Sequence, residues 1–222
     1  MTTVEDDKAP LTALAVDADA LSPAETDTAT FGMGCFWGPD ARFGAMEGVV
    51  RTRAGYAGGT EPDPSYYSLG DHTEVVQVEY DPDAVGYEEL LDVFWANHDP
   101  FSAPHKRQYR GVVLVHDDAQ RAAAEASAAA LSERTGQSVE TAVESLDAFT
   151  LAEDYHQKYE LRSTPVLGDE LADIYGPSLV DSTVAARLNG FVAGHGDADQ
   201  RAALLADVAL SPAALSELER RL

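Results

Sequence analysis

The chain has 222 residues, 45% of them hydrophobic, enough for a sizeable core in one domain with additions or in two small domains. Acidic side chains outnumber basic ones 39 to 15, a net charge of −24, and a surface this negative repels nucleic acid and anionic membranes, which excludes both as partners. The charge is spread along the chain, which fits a solvated surface for concentrated salt; an ordinary acidic cytosolic protein is the alternative.

The N-terminus, MTTVEDDKAP, lacks the basic region and apolar core of a signal peptide. No apolar run approaches the ~20 residues that span a bilayer, so the expected location is cytoplasmic. Residues 1–27 read as an acidic mobile tail or a loosely docked arm. A strand is expected over about 28–33 and a helix over about 36–46. Val49 to Tyr56 reads as a strand, ended by Gly58-Gly59, and a loop with Pro62, Pro64 and Gly70 follows. Thr73 to Tyr80 is a strand with Val76, Val78 and Tyr80 on one face. Tyr87 to Trp95 has the spacing of an amphipathic helix. After a loop from His98 to Arg107 come a short strand (Val112 to His116) and an alanine-rich helix (Asp117 to Arg134). A further strand is expected from Val139 to Leu146. Beyond 165, short helices are expected over Leu171–Tyr175, Val184–Val192, Arg201–Val208 and Ala213–Leu222, the last with Pro212 at its first position. The order strand–helix–strand–strand–helix–strand predicts an α+β fold, a ferredoxin-like split βαβ plait with extra helices at the C-terminus. It divides the chain into a tail (1–27), a core (28–165) and a helical extension (166–222).

The chemistry gathers at Phe31-Gly32-Met33-Gly34-Cys35-Phe36-Trp37-Gly38, which holds the only cysteine. Cys35 falls on a strand-to-helix turn, where free N–H groups and the helix dipole favour thiolate. A lowered pKa and a nucleophilic sulfur are therefore expected; a lone buried cysteine acting as a small hydrophobe is the plainer alternative. The six histidines show no His-Glu-x-x-His spacing and no cysteine pair, so neither a metal nor another cofactor is expected.

Gly34-Cys35-Phe36-Trp37-Gly38 resembles the active-site pentapeptide of the A-type peptide methionine sulfoxide reductases. The blocks AGYAGG (54–59), PSYYSLGDHTEVVQVEYDP (64–82), LLDVFWANHDP (90–100), QYRGVVL (108–114) and AEDYHQKY (152–159) resemble that family too, in its order. The resemblance implies an α/β plait and reduction of methionine S-sulfoxide, in proteins and as the free amino acid. Cys35 would attack the sulfoxide sulfur. Glu74 would be the acid, held protonated by partial burial. Phe36 and Trp37 would wall a methyl slot. Tyr66 and Tyr109 would bind the sulfoxide oxygen, with Tyr67 as the alternative to Tyr66. The family's aspartate before the second tyrosine is missing: the stretch reads Phe101-Ser102-Ala103-Pro104-His105-Lys106-Arg107. Lys106 and Arg107 could assist thiolate formation or reductant docking, or be plain surface charge. Many relatives carry resolving cysteines near the C-terminus, and this chain carries none. Its expected partners are therefore oxidised methionine and an external reductant, either thioredoxin or a small thiol. A one-cysteine thiol peroxidase and a non-catalytic binder of oxidised methionine are the rival readings.

Overall fold

The computed structural model describes Asp17, residues 25–102 and residues 104–221. Most of the expected tail over 1–27 lies outside the described residues. Asp17 itself is buried, and its carboxylate accepts the Val184 N–H at 2.9 Å.

The fold is mixed α/β. One six-stranded sheet runs β5-β4-β1-β3-β2-β6, with β1 Asp27–Met33, β2 Val49–Ala57, β3 Thr73–Tyr80, β4 Gly111–Val115, β5 Ala142–Ser145 and β6 Phe149–Leu151. Every neighbouring pair is antiparallel except β4 with β5. Ala29 to Gly32 of the central β1 are all buried. At Gly32 a Cβ would meet Val112 at 2.8 Å and Thr73 at 3.0 Å, so only glycine lets β1 lie this close to its neighbours.

Val76, Val78 and Tyr80 of β3 enter the main apolar cluster, as their alternation predicts. Three helices cover that face: α1 (Trp37–Gly44), α2 (Tyr87–Ala96) and α3 (Asp118–Thr135). They contribute Phe43, Leu90, Leu91, Phe94 and Ala124. Phe31 stacks on Phe43 and on Phe94, with ring centroids 5.2 and 5.1 Å away. Asp117 caps α3 by accepting the Gln120 N–H at 2.8 Å, which satisfies a free donor of the first turn. On the opposite face Val75, Val112 and Leu114 pack under Leu146 and Phe149.

The expected strand over 139–146 shrinks to β5, and a sixth strand, β6, appears after it. Three residues are too few to show a two-residue period, and β6 is held by register with Gly55 to Ala57 of β2. There Gly55 leaves room for the Phe149 ring, into which a Cβ would run.

The C-terminal part is helical. A short, unexpected α4 (Tyr159–Arg162) precedes four helices that were expected, α5 (Pro165–Tyr175), which begins six residues before Leu171, α6 (Thr183–Val192), α7 (Ala198–Asp207) and α8 (Pro212–Arg221). Leu161, Leu167, Leu171, Leu188, Phe191 and Leu218 form an apolar cluster that reaches Ala45 at the end of α1. Helix α6 lies directly on α1. A Cβ at Gly44 would meet the Ala186 carbonyl at 2.5 Å, and one at Gly190 the Ala41 carbonyl at 2.5 Å.

Candidate active site

Cys35 stands on the turn between β1 and α1, just before the helix N-cap, Phe36. Gly34 turns the chain there with φ +95°, a value that favours glycine. The cysteine is exposed. Beneath it lies Glu74, only 1% exposed. One carboxyl oxygen accepts the Phe36 N–H at 3.1 Å and the other accepts Gln108 Nε2 at 2.6 Å. Register sets this arrangement, since Glu74 sits two residues from the Phe31–Val76 pair on the strand beside β1.

The two groups act on each other. Burial pushes the Glu74 carboxyl above its usual range, against hydrogen bonds from Gln108, Phe36 and Cys35 that pull it down. Burial also pushes the Cys35 thiol up. The Trp37 N–H opposes this, and the charges of Glu74 and Glu160 add to it. The net direction is upward, which corrects the expectation of a lowered thiol pKa. The helix N-terminus does supply a stabilising N–H, but neighbouring carboxylates and desolvation outweigh it.

The phenols and aromatic rings gather around this pair. Tyr66 is half-buried, its ring 4.8 Å from that of His156, whereas Tyr67 is 90% exposed. Tyr109 ends a short 3-10 turn, Arg107–Tyr109. Its hydroxyl is pushed up by burial and by the charges of the neighbouring Glu74, Tyr66 and Cys35. Phe36 is buried against Tyr56 and His156, at 5.9 and 5.0 Å. Trp37 is half-buried; its Nε1–H donates to His156 Nδ1 at 3.1 Å, and its ring stacks on Tyr159 at 3.6 Å. Arg107 turns to the Asp71 and Gly58 carbonyls, at 2.7 and 2.8 Å, and closes the loop over β3.

Sequence reasoning did not single out Gln108, Glu153 or Tyr159. Glu153 ties the site's floor to its rim: it accepts the Tyr56 hydroxyl at 2.8 Å and the Tyr66 N–H at 3.0 Å. His156 is a structural hydrogen-bonder that accepts the Trp37 indole N–H. All of these lie in blocks noted for their resemblance, Gln108 in QYRGVVL, Glu153, His156 and Tyr159 in AEDYHQKY and Tyr56 in AGYAGG, and that was the available signal. His98 is structural in the same sense, bonded to the Phe94 carbonyl at 2.7 Å and Thr141 at 2.8 Å.

A solvent-open thiol above a buried carboxyl, ringed by phenols and aromatic faces, is the equipment of a cysteine-based oxidoreductase. The profile of the family described as peptide methionine sulfoxide reductase matches residues 27–170. A peptide methionine sulfoxide reductase of Drosophila melanogaster is 44% identical over 187 residues, covering 83% of this chain and 76% of that protein. The enzyme MsrA of Methanothermobacter thermautotrophicus is 46% identical over 144 residues, covering 60% and 85%. Among solved structures, methionine sulfoxide reductase A of Corynebacterium diphtheriae superposes with a TM-score of 0.57 at 28% identity, covering 75% of this chain and 92% of that one. The chain belongs to the peptide methionine sulfoxide reductase family: it is an oxidoreductase that returns methionine sulfoxide to methionine.

Proposed function

We propose that Cys35 is the nucleophile, Glu74 the general acid, Tyr66 and Tyr109 the oxygen-binding donors, and Trp37 with Phe36 the methyl slot, acting on the S epimer of methionine sulfoxide. The observation that carries this reading is the Cys35–Glu74 pair, with Glu74 bonded to the N–H of the residue after the thiol. As substrate enters, a Cys35 thiolate attacks the sulfoxide sulfur while the Glu74 proton goes to the departing oxygen. The sulfide leaves as methionine and the oxygen stays on sulfur as a Cys35 sulfenic acid. With one cysteine in the chain, an external thiol condenses with the sulfenic acid, releasing water and forming a mixed disulfide. A second thiol then regenerates Cys35 and leaves as the oxidised disulfide. Thioredoxin or a small thiol fills that role.

The order β4-β1-β3-β2 with antiparallel neighbours supports a ferredoxin-like split βαβ plait at the centre of the sheet. The family match ending at 170 supports a catalytic unit over 28–165 and an extension over 166–222.

The test is dithiothreitol-driven reduction of resolved sulfoxide epimers. Turnover of the S epimer alone, abolished in Cys35→Ser, is expected. Equal turnover of both epimers, or an active Cys35→Ser, contradicts the reading.

A further inference from the structure

Trp37 is gripped by two residues of one short segment: His156 accepts its ring N–H and Tyr159 stacks on its face with planes 2° apart. Between them Lys158 is wholly buried and holds φ +52°, ψ +48°, a conformation a long side chain rarely adopts. A buried carboxylate keeps it there. The Lys158 N–H donates to Asp40 Oδ2 at 3.0 Å; its ammonium donates to Asp40 Oδ1 at 2.8 Å, to the Thr52 carbonyl at 2.6 Å and to Thr52 Oγ1 at 3.1 Å. Asp40 lies on α1, one turn after Trp37, and is wholly buried too. A buried ion pair holds its geometry only when its remaining hydrogen-bonding positions are filled.

The last of those positions is filled from outside the family match. Asn189 of α6, fully buried, donates from Nδ2 to Asp40 Oδ2 at 3.2 Å and accepts the Leu161 N–H on Oδ1 at 3.0 Å. One amide thus bonds both the helix that carries Trp37 and the segment that grips it. Helix α6 does not need this amide to dock on α1, because Gly44 and Gly190 already bring the two backbones into contact.

We propose that Asn189 is a positioning residue for the reaction, and that α6 is thereby a working part of the active site rather than a covering. Asn189 fixes the Asp40–Lys158 pair, and the pair fixes His156 and Tyr159 against Trp37. The proposal rests on Trp37 lining the substrate slot.

The experiment is Asn189→Leu in the full chain, a substitution of similar size that removes both hydrogen bonds. KM for the S-sulfoxide is expected to rise about tenfold, since small misplacements of a binding wall cost that much or more. In a Trp95→Phe background, which leaves Trp37 as the only tryptophan, the Trp37 emission is expected to shift to the red and become easier to quench. Leu218→Ala, at the α8 end of the C-terminal cluster, serves as the destabilised comparator and should move neither readout. If Asn189→Leu does not fold, Asn189→Ser is measured in its place. Wild-type KM and emission in the folded variant, or equal changes in Leu218→Ala, overturn the proposal. Trp37→Phe is run alongside. An unchanged KM there refutes the slot and with it the kinetic readout, while the emission still decides whether Asn189 holds the grip.

Discussion

At Cys35 and Glu74, burial raises both proton affinities and each group adjusts the other's. The Glu74 charge raises the thiol, so Glu74→Gln should move the pH midpoint of Cys35 alkylation downward, as read by iodoacetamide trapping. The same variant should lose on the order of 10²–10⁴ in the rate of sulfoxide reduction, because glutamine keeps the shape and carries no transferable proton. A faster-alkylating but nearly inactive enzyme is the expected pair of results. In the wild type, kcat/KM should fall as pH rises through the Glu74 value, which burial places above that of an ordinary carboxylate. A fall centred in the ordinary carboxylate range would place the acid elsewhere. Much of this site was legible, since Cys35, Phe36 and Trp37 are consecutive and Glu74 and Tyr109 lie in short, distinctive blocks. The sign of the thiol shift was not, because it depends on which carboxyls the fold brings beside the sulfur.

Among the elements, the segment from β6 to α4 is the part that sequence pattern described least well. β6 has three residues and no visible period. The chain beyond it is held to β2 by a side chain: Gln157 accepts the Ala54 N–H at 2.9 Å and donates to the Ala54 carbonyl at 2.8 Å, as a strand backbone would. Only two ends far apart in sequence show what this segment does, for Trp37 and His156 are 119 residues apart. The helices were easier. Most lie where their spacing predicts, but α5 begins at Pro165 rather than Leu171, and α7 begins before Arg201 because its capping box, Asp197 with Gln200, precedes the apolar residues. The buried pair gives a prediction at this scale. Lys158→Met strands Asp40 without a counter-charge and should cost roughly 3–5 kcal/mol in urea unfolding; Asp40→Leu added to it should recover much of that loss. Gly190→Ala forces a methyl against the Ala41 carbonyl and should cost about 1–3 kcal/mol by the same measurement.

Over the whole molecule two properties dominate, a net charge of −24 and a single cysteine. Self-repulsion at this charge is relieved by screening, so the melting temperature should climb as KCl is raised toward molar concentrations. A protein most stable at low salt would contradict a surface suited to brine. The single cysteine constrains the catalytic cycle more tightly. On the proposed mechanism, without a second thiol one turnover would exhaust the protein and leave a sulfenic acid on Cys35. The most direct measurement counts methionine released per chain when excess methionine S-sulfoxide is added with no reductant, with a sulfenic-acid trap present. At most one methionine per chain, the trap on Cys35 and a monomer on a non-reducing gel are the predicted result. Several methionines per chain, or a stoichiometric Cys35–Cys35 dimer, would contradict it.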